Sequence, residues 1–252
     1  MNEPLVSIIT PVYNSSEFLI ETIESVLAQS YINWEHIFVD DCSIDNSVQI
    51  IKKYIDKDPR IKLFQLPKNM GAGPSRNFAI KEAKGKYIAF LDSDDYWIPE
   101  KLAIQIRYME DNFIDFSHSS YGYWNTKSEI IRKPFIVSDY PLSYKDLLKR
   151  TEISCLTAIY NQETIGKMYM PELRLKQDYA LWLSILKKGY KSYPQQEILA
   201  YYRQRKGSAT NNKFKLIYKH YRFLINSEKL NFFSALKYTL FWIKNGLVKY
   251  YI

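Results

Sequence analysis

Three carboxylates, Asp92, Asp94 and Asp95, stand within four residues directly behind the apolar run Tyr87-Ile88-Ala89-Phe90-Leu91. Carboxylates this close repel one another unless a cation or hydrogen-bond donors offset their charge. Oxygen-only ligands suit Mg²⁺ or Mn²⁺ rather than zinc, and an ion held there can carry a diphosphate. The competing reading is a solvated acidic turn ahead of the helix that follows Pro99, since Asp favours turns and helix starts. Three other positions could join this chemistry. Asp41, with Asp40, closes a second apolar run and can accept from a base N–H or a ribose hydroxyl. Tyr13 offers a flat ring to a base, or packs on the domain edge. Arg76 lies one turn into a helix, where it can reach a phosphate or a strand-end acid, or remain a surface arginine.

The elements that must position these residues alternate. Residues 5–10 read as a buried strand broken at Pro11, and Asn14 with Glu17 is a capping-box start for a helix with Leu19, Ile23, Val26 and Leu27 on one face. Residues 34–39 form a second strand, and Asp45 is placed to cap the helix that runs to Tyr54. A third strand over 61–66 leads through Gly71 and Gly73 into a helix ending at Gly85, and the run at 87–91 is the fourth strand. The two glycines do not make a dinucleotide fingerprint, because Arg76 replaces the third glycine and the loop follows the wrong strand. They suit a tight turn, with Pro74 in the first helical turn. Strand–helix alternation predicts an α/β fold with a mostly parallel, Rossmann-like sheet between two helical layers, and ligands of such sheets bind beyond the strands' carboxyl ends. Further on, residues 116–124 and 130–137 pair as a hairpin, Tyr144–Lys149 is a short helix, and 157–160 and 197–202 are strands.

Composition narrows the class. With 46% hydrophobic and 25% charged residues over 252 positions, the chain is globular and can bury a full core. Cys42 and Cys155 have no metal-ligand spacing with His36, His118 or His220, and no secretory signal pattern opens the sequence, so reduced thiols of a cytoplasmic protein are expected. The net charge of +8 is concentrated: residues 203–252 hold eleven Lys or Arg against one acid, Glu228. Such asymmetry points to a polyanionic partner.

Four stretches, in this order and at these spacings, resemble the family 2 glycosyltransferases of GT-A fold: Ser7-Ile8-Ile9-Thr10-Pro11-Val12-Tyr13-Asn14, Val39-Asp40-Asp41-Cys42-Ser43-Ile44-Asp45, residues 69–77, and Phe90-Leu91-Asp92-Ser93-Asp94-Asp95. The resemblance runs over roughly residues 4–205. It implies that Pro11, Tyr13, Asp41 and Arg76 hold the nucleotide of a sugar donor, with Asp41 on the base. Asp92 and Asp94 would form the Asp-x-Asp motif, Asp94 the more direct ligand of Mn²⁺ or Mg²⁺ and Asp92 nearer the ribose and the metal shell. Lys176-Gln177-Asp178-Tyr179-Ala180-Leu181-Trp182-Leu183 resembles the family's Glu-Asp motif at a helix start, which makes Asp178 the catalytic base; here Gln177 replaces the preceding acid. Without the resemblance Asp178 reads as a helix cap. The basic stretch 202–208 resembles the family's loop that folds over the donor diphosphate, with Arg203 as the implied contact.

The resemblance implies an inverting, non-processive hexosyl- or N-acetylhexosaminyltransferase that moves one sugar from a UDP-sugar to a saccharide acceptor. Gln-x-x-Arg-Trp and spanning helices, which a processive synthase would need, are absent from the sequence. A sugar nucleotidylyltransferase would need a Gly-rich basic loop after the first strand, where Pro11-Val12-Tyr13-Asn14 stands. The alternative is a catalytically inactive GT-A-fold protein that binds carbohydrate or lipid.

Residues 1–212 are expected as the catalytic domain, with 1–112 as its nucleotide-sugar half and 113–212 as its acceptor half; 213–252 form a helical tail. Eleven aromatics lie among the eleven basic residues of 203–252, and only six residues separate Lys237 from Lys244. Such a helix is too interrupted to span a bilayer but suits an anionic membrane surface. The competing reading packs its aromatic side on the domain. Nucleic acid fits the charge but finds no binding motif here. A peripheral position on the inner face of the cell membrane agrees with a lipid-linked acceptor in bacterial O-antigen, capsule or lipo-oligosaccharide synthesis.

Overall fold

The structure is a computed structural model in which residues 3–173, 175–204 and 213–251 are described. Strands β1 (Val6–Val12), β2 (Trp34–Asp40), β3 (Ile61–Gln65) and β4 (Tyr87–Phe90) alternate with helices α1 (Leu19–Leu27), α2 (Ser47–Ile55) and α3 (Ala72–Glu82). Next come β5 (Tyr96–Trp97), α4 (Lys101–Asp111), β6 (Phe116–Trp124), α5 (Tyr144–Lys149), β7 (Ile159–Asn161), α6 (Gln162–Ile165), α7 (Gln177–Lys187) and β8 (Tyr193–Arg203). Two helices, α8 (Lys213–Asn226) and α9 (Phe232–Tyr251), end the described chain. Among the described residues, eight strands make one sheet in the order β3-β2-β1-β4-β7-β6-β8-β5. The first four strands pair in parallel, and β7 enters antiparallel to β4.

Alternation along these strands builds both helical layers. Ile8, Phe38 and Ala89 face one core with Leu19, Ile23 and Ile106 of α1 and α4. Ile9, Val39 and Phe90 face the other, with Ala79 and Ile80 of α3 and Leu181 and Trp182 of α7. Each such aliphatic or aromatic side chain, fully buried, contributes roughly 1.5–3 kcal/mol. That double burial is why the strands read as continuous apolar runs.

Two local expectations are corrected. Asn14 and Glu17 do not cap α1, whose N-cap is Phe18 without a side-chain hydrogen bond. Asn14 instead takes a left-handed backbone (φ 47°) and accepts at 2.9 Å from the Ile44 amide, tying the first loop to the second. Residues 130–137 form no strand beside β6; only isolated bridges join Tyr121 to Phe135 and Trp124 to Ile130. The partners of β6 are β7 and β8.

The tail docks on the domain. Phe223, Leu224 and Ala235 are buried in the core that contains α5 and α7, and the Trp242 indole N–H donates to Thr151 Oγ1 at 2.8 Å. No helix among the described residues is long and apolar enough to cross a membrane.

Candidate active site

The carboxyl ends of β1, β2 and β4 and the start of α3 open on one cleft of about 200 Å³. Its walls include Pro11, Tyr13, Asp41, Arg76, Asp92 and Asp94, with Ser15, Ser75 and Ser93 between them. Six residues singled out from the sequence therefore meet in one place. Tyr13 is 52% exposed at the rim, while Asp41 and Arg76 are buried in the wall.

Asp41 owes its position to the loop before α3. Its two carboxylate oxygens accept from the amides of Met70 (2.6 Å) and Gly71 (2.7 Å). Gly71 can present that amide because it sits at φ 91°, a conformation that L side chains rarely adopt. A base N–H would thus meet a carboxylate already oriented by two donors.

Arg76 donates to Asp92 through Nη2, and its Nε is buried with no hydrogen-bond partner. Burial works against its charge, but Asp92 above all, and then Asp178, hold its pKa above the usual value. The guanidinium is therefore a permanent cation at the cleft wall. Asp95 is buried below the motif, where burial and then Asp94 and Asp92 raise its pKa well above the carboxylate range. The repulsion inferred from the sequence is thus present around Asp95, and Arg76 offsets part of the charge by pairing with Asp92.

A divalent ion fits this donor set. Asp92 and Asp94 both line the cleft, and Mg²⁺-type ions commonly take one or two carboxylates and complete their shell with water and substrate phosphates. Among the described residues no group of three His, Cys, Asp or Glu side chains could hold a metal, so phosphate and water would have to supply the other ligands.

Asp178 stands in the first turn of α7 and is outside the cleft lining. It lies close enough to Arg76 and Asp92 to feel both charges. Burial raises its pKa, with Arg76 and the Tyr179 amide opposing. A carboxylate so destabilised gains basicity, as a proton acceptor should. Gln177 is held by close packing: a Cβ on Gly73 would meet its amide at 2.6–2.8 Å, and its Nε2 donates to the Leu173 carbonyl. A Glu here could not make that donation.

The structure does not bring Arg203 to the cleft. Its guanidinium is spent on Glu21 (2.7 Å), the Asp94 carbonyl (2.8 Å), the Asn125 carbonyl and Ser128, and its amide donates to Asp95. Only 2% exposed, Arg203 holds the acidic loop from behind. Arg205 to Ser208 of that basic stretch lie outside the described residues.

Sequence reasoning missed the Ser15–Ser93 hydroxyl pair at 2.7 Å, which fastens the first loop to the acidic loop. Its one signal was Ser93 between two acids. It also passed over Cys155, buried near Arg76 and Asp178, for which no pattern could have spoken.

A mostly parallel α/β sheet whose strand ends gather acids, an arginine and an aromatic rim defines a GT-A glycosyltransferase fold. Residues 7–165 match the model of glycosyl transferase family 2, and the chain belongs to that family. It is 40% identical to TuaG of Bacillus subtilis, a glycosyltransferase assigned to teichuronic acid biosynthesis, over 98% of each chain. It is 38% identical to WfaP of Escherichia coli, a UDP-Glc:α-D-GlcNAc-diphosphoundecaprenol β-1,3-glucosyltransferase, over 98% of this chain and 95% of WfaP. The crystal structure of S. aureus TarS 1–349 with UDP-GlcNAc superposes with a TM-score of 0.70 at 21% identity, covering 98% of this chain and 76% of TarS 1–349.

Proposed function

We propose that this glycosyltransferase is inverting and non-processive, and moves one sugar from a UDP-sugar to a lipid-linked saccharide in bacterial surface polysaccharide synthesis. The observation that carries this reading is the shared cleft of Tyr13, Asp41, Arg76, Asp92 and Asp94 with Asp178 within electrostatic reach of Arg76 and Asp92. The donor and acceptor named for WfaP, and the UDP-GlcNAc bound by TarS, support UDP and a lipid diphosphate as first choices.

In this mechanism Tyr13 stacks on the base while Asp41 accepts its N–H. Asp94, with Asp92, would hold Mn²⁺ or Mg²⁺, which when bound supplies positive charge to the diphosphate. Asp178 takes the proton of the acceptor hydroxyl. As the acceptor oxygen bonds to the anomeric carbon from the face opposite the leaving group, the bond from that carbon to the diphosphate oxygen breaks. UDP departs with the electron pair, and Arg76 offsets its charge. One displacement inverts the anomeric centre.

The protein in this reading is cytoplasmic and rests on the inner membrane surface through α9. Phe233 (80% exposed), Leu236, Leu240 (58% exposed) and Phe241 line an outward groove of about 440 Å³ with Lys237 and Lys244, so the charge suits anionic lipid. The test of function is incubation with UDP-glucose and N-acetylglucosaminyl-diphosphoundecaprenol, with NMR of the product. A β-linked glucosyl product supports the reading; an α-linked product would overturn inversion, and no transfer from any UDP-sugar would overturn the donor class.

A further inference from the structure

The tail helices do more in the structure than cover a core. Lys176, two residues before Asp178, has a left-handed backbone (φ 61°), and its carbonyl accepts the Ala180 amide at 3.0 Å to start α7. That conformation is uncommon for a side-chain-bearing residue and persists only where the surroundings hold it. Those surroundings come largely from the tail. The Lys176 ammonium donates to His220 Nδ1 and lies 4.8 Å from the Trp242 ring centroid and 5.8 Å from that of Phe223, with Tyr179 of α7 at 5.4 Å. His220 stacks on Trp242 at 4.4 Å, and Trp242 is fixed by its bond to Thr151. Asp178 does not pair with Lys176 at hydrogen-bond distance, so this ammonium acts on the backbone's course and not as a direct partner of the base.

We propose that Lys176 is a positioning residue, clamped by His220 and Trp242 of the tail, that sets the first turn of α7 and thereby the aim of the Asp178 carboxylate. The tail is then part of the active-site support in addition to any membrane role. This rests on Asp178 being the base. Burial, which penalises the charged form, draws the Lys176 pKa down to about 7 against the opposing pull of Asp178, a mark of how closely the tail encloses this amine.

The test uses the full chain with Trp242→Leu, Lys176→Gly and the double variant, because glycine adopts the left-handed backbone without a clamp. Trp242→Leu is expected to speed amide exchange at Ala180 and to lower UDP-glucose turnover, each by roughly tenfold, with UDP affinity unchanged. In the Lys176→Gly background the same substitution should add no more than about twofold. Equal losses in both backgrounds, or wild-type exchange in Trp242→Leu, would overturn the clamp. Should Trp242→Leu unfold the tail, Trp242→Phe keeps a ring on His220 and should retain near-native exchange; a loss as large as that of Leu would count against the proposal. A wild-type chain that neither binds UDP nor transfers sugar indicts the functional reading instead, and the exchange data still decide the clamp.

Discussion

Asp178 combines two properties that pull in opposite directions. Its folded pKa is raised, so its ionised form costs stability above that pKa, and the cost fades as pH falls toward the ordinary carboxylate range. Asp178→Asn should therefore melt at or above the wild-type temperature near neutrality, an advantage that shrinks toward acid pH, while transfer drops by 10²-fold or more. A melting temperature well below wild type at pH 7 would show that the carboxylate is structural. Loss of activity on acidification should likewise begin above the usual carboxylate range, because the proposed base Asp178 must be ionised to accept a proton. Arg76→Met leaves Asp92 without its ion-pair partner and is expected to cost roughly 1–3 kcal/mol in denaturant melts, with UDP affinity weakened at least tenfold. At this scale the meeting of Tyr13, Asp41, Arg76, Asp92 and Asp94 at one cleft was legible because these types are chemically specific at strand ends and helix starts. The clamp on Lys176 was not, since its partners lie more than forty residues away and lysine before a helix carries no signal.

Helices α3 and α7 meet where Gly73 faces Gln177, and this contact accounts for one glycine that sequence reading assigned only to a tight turn. Gly73→Ala should spare the fold, because the side chain it meets is a flexible amide, yet it displaces Gln177 beside Asp178. Turnover is expected to fall several-fold while the melting temperature moves by no more than about 2 °C. The same contact tells against a simple return to the family's acid. Gln177→Glu would set a carboxylate against the Leu173 carbonyl and lower stability by roughly 1 kcal/mol, readable in urea melts. The four opening strands and their helices were legible because burial on both faces writes itself as apolar runs. The start of α1 was misread because Asn14 carries a cap's chemistry while its side chain is committed to Ile44 of the neighbouring loop.

Across the whole molecule, α9 serves two surfaces. Its inner side meets α5 and α8, and its outer side leaves Phe233, Leu240 and Phe241 exposed, so the two readings of the tail are compatible. Deleting residues 213–252 would bare Leu147, Leu148 and Tyr179, and is a poor test of membrane binding. Phe233→Ser with Leu240→Ser and Phe241→Ser should instead keep the melting temperature while abolishing co-sedimentation with phosphatidylglycerol vesicles; unchanged sedimentation would remove α9 as the anchor. Charge and aromatics left both a membrane-facing and a docked tail open, and which side docks depends on the placement of α5 and α8, which no local pattern encodes. The central claim, a nucleotide diphosphate seated in the cleft, is tested most directly by calorimetric titration of UDP with and without Mn²⁺, in the wild type and in Asp94→Ala. Binding that strengthens with Mn²⁺ and loses that dependence in Asp94→Ala is the predicted result. Absence of UDP binding in both conditions, or an Asp94→Ala titration identical to wild type, would contradict it.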